Sequence, residues 1–205
     1  THSILMIEPA SDDFADVIRI RFNGRKGKVV LVNDCVAALT QFDRVNPDVV
    51  ILRDSVPNAE EFVGKLKLDR GRSLTSVIRI YPSGTPAGSK EFRIRENYAF
   101  TEPFEIGELF ALADLELLRV PVSKKEMLHL TSFDFLSTPP NLEKAHRMAR
   151  SLLGATGMHE DAAAGFLAGF KEAIDNAARH AHAGSTSKRI TVNFMVGQGK
   201  VEGYL

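Results

Sequence analysis

The chain has 205 residues, 44% of them hydrophobic and 25% charged, and its 26 basic side chains balance its 26 acidic ones. This balance gives no indication of a nucleic-acid or membrane-surface partner, and no apolar run approaches the ~20 residues of a membrane span. The single cysteine, Cys35, cannot form a disulfide within the chain, and the N-terminus lacks the pattern of a secretion signal. We therefore expect a soluble cytoplasmic protein with one large domain or two small ones.

Residues 1–120 alternate short apolar runs with amphipathic stretches, which predicts a parallel sheet covered by helices. Three of the apolar runs are almost uninterrupted, as expected of strands that are covered on both faces. Five strands are predicted, at Ser3–Ile7, Lys28–Val32, Val49–Leu52, Val77–Tyr81 and Tyr98–Thr101. Helices are predicted between and after them, at Asp12–Phe22, Cys35–Phe42, Ala59–Leu68, Gly88–Arg95 and Ile106–Leu118.

Pro121 interrupts this alternation, and we place a linker at residues 121–129, between a domain at 1–120 and a second one at 130–205. A strand is predicted at Met127–Phe135, followed by a helix that begins at Asn141, a favourable N-cap after two prolines. A longer helix is predicted from Asp161 to His182. The apolar faces of these two helices comprise Leu142, Ala145, Ala149, Leu152 and Leu153 in the first and Phe166, Phe170, Ile174 and Ala177 in the second. Two final strands, Arg189–Val196 and Lys200–Leu205, flank the predicted hairpin turn GQG.

Two segments of the first half match a known pattern. The sequence PDVVILRDSVPN (Pro47–Asn58) resembles the third strand and following loop of two-component receiver domains, and YAFTEPF (Tyr98–Phe104) resembles their fifth strand. The order of strands and helices over residues 3–118 agrees with that family. The resemblance implies a CheY-like, doubly wound five-stranded parallel sheet, in which ligands bind at the carboxyl ends of the strands. It also implies a cis peptide bond before Pro103, where the family has one.

The receiver chemistry is missing from the corresponding positions. Where the family has two acidic Mg²⁺ ligands, this chain has Glu8 and Pro9, and Arg53 and Glu102 stand at the phospho-acceptor aspartate and the family's lysine. A hard cation needs carboxylate oxygens and an acyl phosphate needs a carboxylate nucleophile, and arginine supplies neither. The neighbouring Asp54 is no substitute, because successive side chains of a strand point to opposite faces. We therefore expect no cofactor in this half.

The acceptor and its partner have exchanged sign, since an aspartate and a lysine have become Arg53 and Glu102. Our hypothesis is that the two form an ion pair, which holds this half in one state as a pseudo-receiver used for docking. The alternative is that both are solvated residues at the rim, whose pairing contributes under ~1 kcal/mol.

A polar line is predicted along the long helix of the second half. Glu172, Asn176 and His180 are four residues apart and therefore share one face of a helix. Such a line is often merely solvated. Here alanines beside it leave room for a ligand, and asparagine is an unfavourable choice for a solvated helix interior.

The segment that contains this line, KEAIDNAARHAH, resembles the N-box of the GHKL (Bergerat-fold) ATPases. Residues 135–205 as a whole resemble the anti-sigma-factor serine kinases of bacterial partner switching. The resemblance implies a partial α/β sandwich in residues 130–205, with ATP and Mg²⁺ as cofactors. It makes Glu172 the general base and Asn176 the Mg²⁺ ligand, and it places His180 near the phosphates. The implied partners are a sigma factor or an anti-anti-sigma-type protein, and family members are commonly homodimers.

One part of that family's site is missing, because an Asp-x-Gly-x-Gly box that reads the adenine follows the last strand there, whereas this sequence ends at Leu205. We expect the intact protein to be a serine/threonine kinase of which this chain is part. The alternative is a non-catalytic interaction or dimerisation module. A hybrid histidine kinase is disfavoured, because the residues between Pro121 and the N-box are too few for two long dimerisation helices. A zinc site is disfavoured as well, since His180 and His182 point to different faces and lack a third ligand.

Overall fold

Five parallel strands form the first sheet of the computed structural model, which describes residues 2–9, 13–23, 27–85, 90–154, 156–181, 183–197 and 200–205. The strands are β1 (His2–Ile7), β2 (Gly27–Val32), β3 (Val49–Arg53), β4 (Ser76–Tyr81) and β6 (Tyr98–Thr101), in the spatial order β2-β1-β3-β4-β6. This is the order of doubly wound folds of the flavodoxin and CheY type. The predicted receiver-like parallel sheet is therefore confirmed.

Helices cover both faces of this sheet. They are α1 (Asp13–Asn23), α2 (Cys35–Val45), α3 (Ala59–Leu68) and α4 (Ile106–Glu126). Alternate strand residues enter two separate cores, because successive side chains of a strand point to opposite faces. One core joins α2 and α3 to Leu5, Val50 and Leu52, and the other joins α1 and α4 to Ile4, Met6 and Ile51.

The second sheet is antiparallel and has the order β5-β7-β8-β9. Its strands are β5 (Phe92–Ile94), β7 (Met127–Leu136), β8 (Arg189–Gly197) and β9 (Lys200–Tyr204). Two helices, α5 (Pro139–Gly154) and α6 (Glu160–Asn176), contribute to its core through the predicted apolar faces, of which Ala145, Ala149, Phe170 and Ile174 are buried. The pairing of β8 with β9 agrees with the predicted final strands, but residues 198–199 of the GQG turn lie outside the described residues.

The helix predicted at Gly88–Arg95 is wrong. Residues 86–89 lie outside the described part of the chain, and β5 occupies the end of this segment, paired antiparallel with β7. Apolar and charged residues alternate in Phe92, Arg93 and Ile94, and this period of two is typical of a strand. Phe92 stacks on Phe133 and Phe135 at centroid distances of 5.7 and 5.4 Å, and the intervening Arg93 is directed to polar partners.

Residues 121–126, which we assigned to a linker, continue α4, and residues 127–129 belong to β7. Pro121 lacks an N–H group and ordinarily ends or kinks a helix. Two residues of α4 on either side of Pro121 hold this part of the helix in place. Val120 is fully buried, and Lys124 Nζ lies 3.3 Å from Asp48 Oδ1. The division of the chain at this point remains a prediction. None of the described helices combines the length and the apolar content that crossing a membrane requires.

Helix α5 begins at Pro139, so Asn141 lies in its first turn and is not the predicted N-cap. Proline is favoured at the first helical position, where its missing N–H group is not needed. The side chain of Asn141 has another task, since its Nδ2 donates to the carbonyl oxygen of Leu136 at 3.2 Å. It thereby joins the first turn of α5 to the end of β7.

A chain of ionic contacts connects the first sheet to the second. Arg79 on β4 donates from Nε to Asp54 Oδ1 and from Nη1 to Glu60 Oε2, both at 2.8 Å, and its Nη1 lies 3.8 Å from Glu96 Oε2. Glu96 also lies 3.5 Å from Arg93 Nη1. Since Arg79 and Glu96 are buried, these charges are stabilised by one another and not by water.

This series of ionic contacts ends at Asp134 of β7, whose side chain is only 7% exposed. Arg93 and Arg189 each donate from Nε to Asp134 at 3.0 Å, and Arg95 Nε lies 3.6 Å away. These arginines come from β5, from β8 and from the residue after β5. One buried carboxylate on β7 therefore binds arginines of both neighbouring strands, β5 and β8.

We predict that Asp134→Asn lowers the free energy of unfolding by about 3 kcal/mol, because it removes a counter-charge from the buried guanidinium of Arg93 and from the partly exposed Arg189. Denaturant unfolding followed by circular dichroism measures this loss. Glu143→Gln is the matched control, since Glu143 pairs with Arg147 on an exposed face and should cost less than about 0.5 kcal/mol. Equal losses in the two variants would contradict a structural role for Asp134.

Candidate functional site

Three charged side chains meet at the carboxyl edge of the first sheet, where folds of this type bind ligands. Glu8 follows β1, Arg53 is the last residue of β3, and Glu102 follows β6. Because these strands are parallel, their ends lie at the same edge. The structure thus brings together all three residues that the sequence assigned to the degenerate receiver pocket.

Arg53 occupies the centre of this group. Its Nε donates to Glu8 Oε2 at 2.9 Å, and its Nη1 donates to Glu102 Oε1. The centre of the guanidinium lies 4.8 Å from the ring centroid of Phe14, within the range of a cation–π contact. The predicted ion pair between Arg53 and Glu102 is therefore present, and Glu8 is a second partner that we did not predict.

Burial differs sharply between the two partners of Arg53. The side chain of Glu8 is 6% exposed, that of Arg53 is 19% exposed and that of Glu102 is 36% exposed. A buried carboxylate depends on its counter-charge far more than an exposed one does. The contact with Glu8 therefore contributes most of the stabilisation, and the contact with Glu102 closes the group on the solvent side.

Asp54, the residue after Arg53, points to different partners. It accepts hydrogen bonds from Arg79, whereas Arg53 is bound to Glu8 and Glu102. This agrees with the expectation that a shift of one residue removes the carboxylate from the pocket. The peptide bond between Glu102 and Pro103 is cis, as the resemblance implied.

The arrangement at this edge is suited to charge neutralisation and not to metal binding. The two carboxylates that a hard cation would need are already bound to one guanidinium. Among the described residues, no group of three histidine, cysteine, aspartate or glutamate side chains is placed to hold a metal ion.

The second candidate site lies on α6 and on the turn that follows it. Glu172, Asn176 and His180 are all exposed, while Phe170 and Ile174 of the same helix are buried. Glu172 and Asn176 lie one turn apart on the exposed side of α6. The roles assigned to these three residues remain predictions.

The helix changes type immediately after Asn176. Residues Ala177–Ala181 form a π-helical turn, which places His180 outside the regular α-helical spacing on which the predicted line was based. Turns of this kind are rare and frequently occur at functional sites. The sequence AARHA has no feature that distinguishes it from ordinary helix, so the turn was not predictable.

A groove of about 480 Å³ runs along α6 beside this line. Gly165, Gly169 and Ala173 form one of its walls, and Gly203 and Tyr204 of β9 contribute to the other. The absence of side chains keeps the groove open, because a Cβ atom on Gly203 would lie 3.3 Å from the Phe166 ring. Its volume falls in the range of small-molecule sites. Glu172, Asn176 and His180 are not among the residues that line it.

Comparison with known proteins found similar folds among solved structures. No protein-family model and no curated protein matches the chain. The receiver domain of a DNA-binding response regulator from Colwellia psychrerythraea is 19% identical, with a TM-score of 0.48, over 58% of this chain and 100% of that one. A receiver-modulated diguanylate cyclase from Pelobacter carbinolicus is 22% identical, with a TM-score of 0.47, over 61% of this chain and 99% of that one.

A third such structure, a Francisella response-regulator receiver domain, is 18% identical, with a TM-score of 0.47, over 58% of this chain and 98% of that one. At such identities a likeness concerns the fold alone. The receiver-like architecture of the first half therefore rests on its own strand order and helix placement, described above.

We predict that Arg53→Met destabilises the protein by about 3 kcal/mol, because it removes the guanidinium from the buried Glu8. Glu102→Gln should cost about 1 kcal/mol or less, since Glu102 is partly solvated. Chemical denaturation of both variants gives the two values. Arg19→Met, which breaks an exposed pair with Asp16, is the control and should change stability by less than about 0.5 kcal/mol. A larger loss for Glu102→Gln than for Arg53→Met would contradict the ranking.

Proposed function

We propose that the protein is a bacterial signalling regulator whose receiver-like half works without phosphorylation. One observation carries this proposal: Arg53 stands at the end of β3 and is bound to Glu8 and Glu102 at the edge where a receiver would be phosphorylated. Transfer of a phosphoryl group to this edge needs a carboxylate nucleophile and a metal ion held by free carboxylate oxygens. The pocket offers a cation in place of the nucleophile.

The ionic group also supports a single fixed state for this half. In a switching domain, the loops at the carboxyl edge rearrange when a charge is added, and the contacts they make differ between the states. Here Arg53 already joins the end of β3 to the residues after β1 and β6 by charge-assisted hydrogen bonds. The permanent charge of the Arg53 guanidinium thus holds the loops that phosphorylation would otherwise rearrange. We expect this half to serve as a docking element.

We further propose that the second half belongs to an ATP- and Mg²⁺-dependent serine/threonine kinase of the anti-sigma type. The exposed line of Glu172 and Asn176 on α6, the adjoining groove and the π-helical turn at His180 support this assignment. When bound, Mg²⁺ would neutralise charge on the nucleotide phosphates. The amide oxygen of Asn176 would hold the ion, and the Glu172 carboxylate would accept the proton of the attacking hydroxyl.

The partner of such a kinase would be a sigma factor or an anti-anti-sigma-type protein, and the protein would act as a homodimer. These roles follow from the family resemblance of the α6 segment. The substrate would be a serine or threonine hydroxyl of the protein partner, approaching the exposed face of α6.

The second candidate function is a non-catalytic interaction or dimerisation module. A specific observation favours it: Leu115, Leu118 and Val122 on α4 are 57%, 66% and 54% exposed. Their spacing of three and four residues puts them on one face of the helix, where a partner helix would pack. In this case α6 would contact a partner without a nucleotide.

We predict that acetyl phosphate and Mg²⁺ leave the protein unmodified, because Arg53 cannot form an acyl phosphate. Intact-mass spectrometry under acidic quench measures the modified fraction, with a phosphorylatable receiver domain treated in parallel as the positive control. A phosphoaspartate at Asp54 would overturn the assignment of a phosphorylation-independent receiver-like half.

We predict that the intact protein binds ATP only with Mg²⁺ and that Asn176→Ala weakens this binding at least about tenfold by removing the metal ligand. Glu172→Ala should reduce phosphorylation of the partner by at least about a hundredfold and affect ATP binding less, since a general base acts on the transition state. Isothermal titration calorimetry and a phosphorylation assay separate the two effects. Glu160→Ala, at the other end of α6, is the control for charge loss. Absence of binding at millimolar ATP would favour the interaction module.

A further inference from the structure

A cavity of about 270 Å³ lies where the two halves of the molecule meet. Leu68 at the end of α3 and the following Arg70 line it from the first half, and His129 of β7 and Val196 of β8 line it from the second. Met148 and Leu152 of α5 complete its apolar wall. The cavity is distinct from both candidate sites described above, and it is smaller than typical sites for drug-sized ligands and cofactors.

His129 gives this cavity an unsatisfied polar group. The residue is 6% exposed, and its buried Nε2 has no hydrogen-bond partner within the described part of the chain. A buried donor or acceptor without a partner costs about 1–3 kcal/mol, and such groups are uncommon in folded proteins. Packing of the fold alone therefore gives no reason for a histidine here, whereas a ligand in the cavity would supply the missing partner.

The charge around His129 is positive. Burial, together with the neighbouring charges of Lys67 and Arg70, lowers the pKa of His129 to about 4, against a smaller opposing effect of Asp69. The imidazole is therefore neutral near pH 7 and offers one N–H donor and one acceptor nitrogen. A ligand that accepts a hydrogen bond from this N–H group and carries a negative charge fits both properties.

We propose that this cavity binds a small monocarboxylate with a short apolar body. The apolar part would pack between Leu152 and Val196, and the carboxylate would lie between the Arg70 guanidinium and the His129 imidazole. Charge-assisted hydrogen bonds from the two groups would orient the ligand. Because residues of both halves line the cavity, the bound carboxylate would act as an effector of the contact between them. The proposal is independent of ATP binding and of the kinase assignment.

Methionine-methyl NMR of the full chain, titrated with phenylacetate, tests the proposal. Met148 lines the cavity, whereas Met195 of β8 has the strand position next to Val196 and therefore points to the opposite face of the sheet. Phenylacetate is expected to shift the Met148 resonance with a dissociation constant below about 1 mM and to leave that of Met195 unchanged. Substitution of each methionine by leucine assigns the signals.

Two comparisons test whether binding depends on the negative charge of the ligand and on the positive charge of Arg70. Phenylacetamide, the neutral analogue, should bind at least about tenfold more weakly than phenylacetate, and Arg70→Gln should reduce phenylacetate affinity by a similar factor. Arg44→Gln, which removes an exposed arginine that does not line the cavity, should leave the affinity unchanged. The proposal is overturned if the Met148 resonance does not shift at about 10 mM phenylacetate, ten times the expected upper limit of the dissociation constant. It is also overturned if phenylacetamide binds as tightly as phenylacetate.

Discussion

The packing of the two sheets against each other depends on the ionic contacts of the buried Asp134 carboxylate. This carboxylate neutralises arginines on both of its neighbouring strands, and one of them, Arg93, is connected through Glu96 to Arg79 in the first sheet. Ion pairs of this kind are costly to bury, so they contribute through geometry more than through net stability. The hydrogen bond from Arg93 of β5 to Asp134 of β7 helps to fix how β5 is placed on β7.

Two separate ionic groups at the end of β3 illustrate the same principle. Arg53 and Asp54 are neighbours in sequence, yet each belongs to its own ionic group, because strand geometry sends them to opposite faces. Arg53 binds the two carboxylates at the carboxyl edge of the first sheet, and Asp54 extends the network towards the second sheet.

The sequence was sufficient where one periodicity dominated a segment. Apolar runs predicted all five parallel strands, and the exchanged signs of Arg53 and Glu102 predicted their contact. It was insufficient where tertiary contacts decided the outcome. The strand at Phe92–Ile94 depends on stacking against Phe133 and Phe135, which lie about forty residues away in sequence on the neighbouring strand β7. The helix through Pro121 depends on a distant anchor, and the cavity at His129 is formed by residues from both halves, so neither has a local signature.

The placement of β5 has a consequence for how this architecture is assembled and inherited. The strand belongs by sequence to the connection between β4 and β6, but by hydrogen bonding it is the edge of the other sheet. A cut between residues 120 and 130 would therefore remove one strand from the second sheet and expose the backbone of β7 as a new edge open to pairing with other chains. The second sheet therefore takes its strands from both sides of residues 120–130.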